Sequence, residues 1–375
     1  MLYYLPLEPY IERYTYYMSC VDGWAETNFK KYGVNFVRID GEKLGDTIKD
    51  GVVLDACGRS YYAMSQIMKV VELINNGAIA DDDVIYVEDF WHPGIESLFY
   101  IRQLKGMKFK IGTFIHAQSV DDTDFSYKMK DWMRPIEQGF GNQYDFIFTC
   151  SHILRQLCIV AGVAREDNIF HVGLPYNSER LIEQLKADGW EPQKKDGSVI
   201  FASRFDDEKD PMFFLDLVEA CPDIKFNLVN PRKNRPITTN TQVLTRLTDI
   251  VSRPNSNLKI VNTFDKVTYY TELSKASVLI NCAHQDWVSW TMLEAITFGA
   301  YPLYPIWKDF EYELKGNPRY LYEKRNLKDC KTKLNALITK HYNAVNYDDV
   351  KDLDYVVEKH DNSWHRYLEI MGLIK

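Results

Sequence analysis

The sequence predicts an α/β protein made of two Rossmann-like halves, each a parallel sheet with helices on both faces, with the sheets facing a central cleft. Three observations carry that expectation. Strand-like and helix-like segments alternate from the first residues onward, and parallel strands need crossover connections that are usually helices. The alternation pauses at residues 190–198, WEPQKKDGS, a polar stretch with Pro and Gly, and then restarts. The 375 residues, at about 150 per domain, correspond to about 2.5 domains.

The elements follow in order. Residues 3–7 form an apolar first strand, and 25–32 a helix. Residues 35–39 and 52–56 read as strands. Residues 60–73 carry Met64, Ile67, Met68 and Val71 at helical spacing and stop near Gly77. A strand at 84–87 leads to Pro93, placed to open a helix running to Leu104. Strand 109–115, helix 125–138, strand 146–150 and helix 152–161 complete the first series. The second opens with strand 199–203, helix 211–220 and strand 226–229. Helices at 239–251, 267–275 and 289–298 alternate with strands at 259–261, 277–281 and 301–304. Helices over 327–341 and from Ser363 finish the chain. The expected division is 1–176 for the first half, 177–357 for the second, and 358–375 for a helix that returns to the first half.

Composition excludes several classes. Hydrophobic residues at 46% and charged residues at 26% exclude a disordered or collagen-like chain. The net charge of −8 excludes a generally basic nucleic-acid coat. Local basic strips remain at Lys128, Lys130 and Arg134 and at Arg232, Lys233 and Arg235. Aromatics reach 14%, with 25 Tyr, a residue type suited to interfaces and sugar sites. Cys20, Cys57, Cys150, Cys158, Cys221, Cys282 and Cys330 form no C-x-x-C pair and read as free buried thiols of a reducing cytosol. MLYYLPLEPYIER lacks the basic start of a signal peptide, and no window has the 18 or more apolar residues of a spanning helix. The expectation is a cytoplasmic protein with no integral membrane segment.

Two loops that follow strands carry the chemistry, because open α/β sheets bind ligands beyond the carboxyl ends of their strands. FASRFDDEKDP places Arg204 and Lys209 between a strand and a helix. Two cations beside a helix N-terminus suit a pyrophosphate; a solvated loop is the ordinary alternative. SVLINCAHQDWVSWTMLEAITFGAYPLYP runs from a strand through a polar loop into a helix. Asp286 and Glu294 lie eight apart across that junction. The amides near Val288, Ser289 and Trp290 would face a ligand, with Trp287 beside them. Glu294, among Met292, Leu293, Ala295 and Ile296, needs a polar partner if buried, and it could accept from two ribose hydroxyls.

R-x4-K followed about 80 residues later by D-x7-E-A-x3-G resembles the C-terminal half of retaining GT-B glycosyltransferases. Arg204, Glu208 and Lys209 match the family's R-x-x-x-E-K, and Glu294, Ala295 and Gly299 match most of its E-x7-E motif. Asp286 stands for the first Glu, and Trp287 and Val288 replace a Gly-rich turn. The resemblance implies that Arg204 and Lys209 hold the donor diphosphate, Glu294 the ribose and Asp286 a hydroxyl of the sugar. It also implies a UDP-sugar donor, no required cofactor or metal (with room for stimulation by a divalent cation), and attack by the acceptor hydroxyl from the leaving-group side.

The first half resembles the DNA-modifying glucosyltransferases of T-even phages in parts. The elements are His116–Ser119 in IGTFIHAQSVDD, the strand ending FIFTCS, LEAITFGAYPLYPIWK, and the late H-x-x-S of His360 and Ser363. This implies a sugar-contacting His116 and a double-stranded DNA acceptor carrying 5-hydroxymethylcytosine, with glucose or arabinose transferred. Glu88, Asp89, His92, Ser119, Lys128 and Arg134 are the candidate acceptor contacts. Glu88, Asp89 and His92 with Glu96 also look like a metal cluster on paper, but their spacing fits no metal motif. Asp22-Gly23-Trp24 is either a loop that closes on the sugar or an N-cap turn, and Gly23 is placed among the donor contacts. The rivals are a glycosyltransferase acting on cell-surface polysaccharide or lipid, a sugar-nucleotide epimerase, and a sugar-nucleotide- or DNA-binding module without turnover. No G-x-G-x-x-G follows the first strand, and neither a Walker loop nor a G-x-S-x-G elbow is present.

Overall fold

A computed structural model describes residues 1–8, 23–45, 55–116, 119–231, 236–284, 286–342 and 347–375. Twelve strands are found among them: β1 (Leu2–Leu5), β2 (Phe36–Arg38), β3 (Val84–Val87), β4 (Lys110–Phe114), β5 (Phe146–Thr149), β6 (Ile169–His171), β7 (Val199–Phe201), β8 (Phe226–Asn230), β9 (Leu258–Asn262), β10 (Val278–Ile280), β11 (Tyr301–Pro305) and β12 (Leu321–Tyr322). They form two six-stranded sheets, ordered β2-β1-β3-β4-β5-β6 and β12-β11-β10-β7-β8-β9. The strand pairs run parallel. Strands such as VIYV in β3 and FIFT in β5 are buried at every position, because helices cover both faces of a parallel sheet. The expected α/β class with two parallel sheets is therefore observed.

The chain divides into two compact units, Met1–Asn177 with His360–Lys375, and Ser178–Lys359. The C-terminal helix Ser363–Ile370 completes the core of the first unit. Trp364, fully buried, meets Phe29 at 5.3 Å and Tyr86 at 6.3 Å between ring centroids. Tyr367 stacks on Phe148 at 4.6 Å and donates to the Gly173 carbonyl at 2.7 Å. The late H-x-x-S is part of the same clamp: His360 Nδ1 accepts from the Leu174 amide at 2.8 Å, and Ser363 Oγ donates to the Leu174 carbonyl at 2.7 Å. Gly173 has φ +95, and a Cβ there would lie 2.9 Å from Ser363 Oγ. Only glycine fits that close approach.

Several expected elements differ. Residues 52–54 lie outside the described residues, and Ala56 opens the helix Ala56–Asn75, capped by Asp55 Oδ1 accepting from the Gly58 amide at 3.1 Å. Pro93 precedes the helix Ile95–Lys105, whose cap is Gly94 at φ 89. The helix expected over 125–138 is a 3₁₀ turn, Phe125–Met129, followed by Lys130–Gly141 with Pro135 inside it. The short strands β6 and β12 and the helices Ser178–Ala187 and Asp354–Asp361 were not expected. Many tyrosines serve the core: Tyr4, Tyr144, Tyr304 and Tyr322 are fully buried, each with its hydroxyl donating to a protein acceptor. Cys57 is exposed, while the other described cysteines are buried and free. Among the described residues, no helix is long and apolar enough to cross a membrane.

Trp364→Ala should lower the stability of the first unit by about 3–5 kcal/mol. Chemical denaturation followed by near-UV circular dichroism measures it, and an unchanged midpoint would show that the C-terminal helix contributes little.

Candidate active site

The second sheet reverses its winding between β7 and β10. The chain runs outward from β7 to β8 and β9, then returns to build β10, β11 and β12 on the other side. Such a switch point opens a crevice at the carboxyl ends of the strands, and the two motif loops flank it. The loop after β7 carries Arg204, which is exposed and paired with Glu208. Lys209 is buried at 9% exposure, and its Nζ lies 3.3 Å from Asp286 Oδ2 in the loop after β10. The His284 amide donates to the Glu208 carbonyl at 2.8 Å, a second tie between the loops. The structure thus brings Arg204, Lys209 and Asp286 into one loop pair.

Asp210, next in sequence, was not anticipated. It is buried, has φ 49 and caps the helix Pro211–Ala220. Its carboxylate accepts from Arg325 at 2.7 and 3.1 Å and from His284 Nε2 at 3.0 Å. These partners come from the loops after β12 and β10, so no sequence spacing announces them.

Glu294 lies in the helix Trp290–Thr297, beyond Ser289. Its two carboxylate oxygens accept from Tyr269 and Tyr270 hydroxyls at 2.7 and 2.6 Å. This is the polar partner that its apolar sequence context demanded. Burial raises its pKa, against the opposing Lys266 charge and the two tyrosine hydrogen bonds. Ser289 Oγ is engaged with Thr291 at 2.8 Å and with the Tyr304 hydroxyl at 3.0 Å. The side chains of Trp287 and Val288 are buried.

In the first unit, Glu88, Asp89 and His92 follow β3 and lie buried near His116, which follows β4. Glu88 accepts from the Tyr4 hydroxyl at 3.0 Å. Burial raises its carboxyl to about 8; the Tyr4 bond opposes this and the Asp89 charge adds to it. Asp89 pairs with Arg59, a cation that the sequence reading missed. His92 is pushed down to about 3 by burial and then by the Arg59 charge. His116 bonds the Glu88 carbonyl through Nε2 at 2.8 Å, and burial holds its pKa below the ordinary value. Glu88, His92 and His116 are thus driven toward their neutral, hydrogen-bonding forms beside the Asp89–Arg59 ion pair.

Ser119 and Arg134 are tied into a separate network. The buried Glu137 accepts from Ser119 Oγ at 2.5 Å, the Ser119 amide at 3.0 Å and Trp91 Nε1 at 3.1 Å. Arg134 Nε donates to Ser119 Oγ at 2.8 Å. Lys128 is exposed. Gly23, at φ 65, caps the helix Trp24–Lys31. Asp22 and the basic residues Arg232, Lys233 and Arg235 lie outside the described residues. Among the described residues, no group of three or more His, Cys, Asp or Glu side chains is placed to hold a metal ion.

No protein-family model and no curated protein matches the sequence. Solved structures match by fold. A sucrose-phosphate synthase from Thermosynechococcus elongatus is 12% identical with a TM-score of 0.61, covering 99% of this chain and 96% of that one. A UDP-forming α,α-trehalose-phosphate synthase from Burkholderia xenovorans is 12% identical with a TM-score of 0.57, covering 82% of this chain and 78% of that one. A GtfA/B complex is 13% identical with a TM-score of 0.56 over 83% of this chain, which spans 61% of that longer protein. The chain therefore has the α/β fold of GT-B glycosyltransferases.

The Glu88 shift gives a signed pH dependence. The folded carboxyl holds its proton to about 8, while the unfolded one releases it near the ordinary value, about 4.3. Stability from this group is full at low pH and is lost as pH rises through that interval. His92, held near 3, acts oppositely, but only below about 6.5. Between pH 6.5 and 8 the stability difference, wild type minus Glu88→Gln, should therefore fall with pH, by up to about 1.4 kcal/mol per unit. Urea titrations across that range test it; a flat difference contradicts a protonated Glu88.

Proposed function

We propose that this chain is a retaining glycosyltransferase that moves a sugar, glucose or arabinose, from a UDP-sugar to 5-hydroxymethylcytosine in double-stranded DNA. The observation that carries the donor half is the Lys209–Asp286 pair, which joins the two motif loops across the β7/β10 switch point. Arg204 and Lys209 then hold the diphosphate and stabilise the charge that grows on it as the glycosidic bond breaks. Glu294 accepts from the ribose hydroxyls, with Tyr269 and Tyr270 fixing its carboxylate. Asp286 accepts from a hydroxyl of the sugar. Asp is one methylene shorter than Glu, which sets that hydroxyl closer to the loop.

In the usual proposal for retention, the acceptor hydroxyl attacks from the face of the departing diphosphate, and a diphosphate oxygen takes its proton. The role of the protein is then positioning and electrostatics. The neutral His116 donates or accepts a hydrogen bond at the sugar without adding charge. UDP as the nucleotide is supported by the fold shared with a synthase described as UDP-forming. The DNA acceptor is supported by the sequence resemblance alone.

A second reading, transfer to a saccharide or lipid acceptor, is favoured by one feature. Trp132 and Phe125 are 54% and 52% exposed, close in sequence to Lys128 and Lys130. Such an amphipathic surface suits an anionic interface.

Wild-type protein incubated with UDP-glucose or UDP-arabinose and hydroxymethylcytosine DNA should yield a glycosylated nucleoside by mass spectrometry. Arg204→Ala and Glu294→Ala should each reduce the yield by about 100-fold or more. Labelling of a saccharide or lipid but never of such DNA would replace the acceptor assignment with the second reading.

A further inference from the structure

Beside the proposed donor loops, the second sheet carries a group of cations that the motifs do not include. Lys308 follows β11, and its Nζ stands 4.0 Å from the ring centroid of Trp287, in the loop after β10. Lys324 follows β12, and its Nζ stands 3.2 Å from the ring centroid of Trp307. Trp307 Nε1 in turn donates to the His284 carbonyl at 2.7 Å. Arg325 is held by the buried Asp210. Aromatic faces thus carry the two lysines, and a carboxylate anchors the arginine.

Two features mark this arrangement as more than solvated surface charge. Three of the four non-glycine residues with positive φ among the described residues, Asp210, Lys308 and Arg325, belong to it. Backbone held there is disfavoured and persists where the surroundings impose it, most often at functional sites. The cations also crowd one another: burial, then Arg325, then Lys308 lower the pKa of Lys324, with Asp210 acting the other way. Lys324 makes no ion pair among the described residues; its ammonium rests on the Trp307 ring. Mutual repulsion of this kind is relieved by an anionic ligand.

We propose that Lys308, Lys324 and Arg325 seat the phosphodiester backbone of the DNA acceptor. This rests on the DNA reading above and adds the surface that holds the duplex. Lys308 comes from the loop after β11, and Lys324 and Arg325 from the loop after β12, one strand spacing of about 5 Å away. Three cations gathered at one end of adjacent strands complement the charge of a phosphodiester strand. The lysine ammonium groups already stand over indole rings, so less side-chain freedom is left to lose on binding.

The test is equilibrium binding of fluorescent duplex DNA at several salt concentrations, with UDP binding by calorimetry on the same preparations. Wild type should bind with a steep salt dependence. Lys308→Gln/Lys324→Gln should bind at least 10-fold more weakly at low salt, and its log–log salt slope should flatten by about two. Its UDP affinity should be unchanged, and Lys308→Arg/Lys324→Arg should restore DNA binding. Equal DNA binding by wild type and the Gln variant overturns the assignment. So does loss of UDP affinity in step with DNA affinity, which would give these cations to the donor. Wild type that binds no duplex overturns it as well. The fate of the acceptor reading is separate, because mass spectrometry of hydroxymethylcytosine DNA reads transfer directly.

Discussion

Lys209 is buried, and the Asp286 carboxylate 3.3 Å from its ammonium compensates for lost water. A buried cation without such a partner would be strongly destabilising. The partner lies 77 residues on in sequence, so the pairing exists only because β7 and β10 are neighbours in the sheet. That adjacency follows from the reversal of winding at β7. The site therefore depends on topology first and on residue identity second.

The surrounding residues extend the same logic. Asp210 takes the left-handed backbone that turns the chain into the helix Pro211–Ala220, and its carboxylate draws in Arg325 and His284. Glu294 is braced by two tyrosine hydroxyls, so its oxygens are oriented before any ligand competes for them. Under the proposed function, a diphosphate competes with Glu208 for Arg204 and with Asp286 for Lys209. Releasing Asp286 toward the sugar would then accompany donor binding. In the first unit the logic is reversed. Glu88 and His92 are buried without a full counter-charge, and both are driven to their neutral forms. That cluster offers hydrogen bonds in place of charge, which suits contact with neutral hydroxyls.

Much of this was legible in the sequence. Alternating apolar and helical segments gave the class and most strands, because both faces of a parallel strand are buried and its residues are apolar throughout. Arg204, Lys209, Asp286 and Glu294 were visible because strand ends and helix starts are marked locally. Their partners were not. Tyr269, Tyr270 and Arg325 reach the loops of the second unit, and Arg59 the cluster of the first, from other elements, and no local pattern records that. Short strands such as β12, Leu321–Tyr322, carry too few residues for a period. Ser119 bonds Glu137 and Arg134 bonds Ser119, a network that the spacing of these residues in the sequence does not announce. The abundance of tyrosine suggested sugar contacts, whereas many tyrosines fill the core and satisfy their hydroxyls there.

The central claim is that the loops after β7 and β10 form a nucleoside-diphosphate site. A crystal structure with UDP bound tests it most directly. The account predicts the diphosphate within hydrogen-bond distance of Arg204 and Lys209, and the ribose hydroxyls on Glu294. UDP seated elsewhere, with Lys209 still paired to Asp286 and Glu294 contacting only its tyrosines, would contradict it.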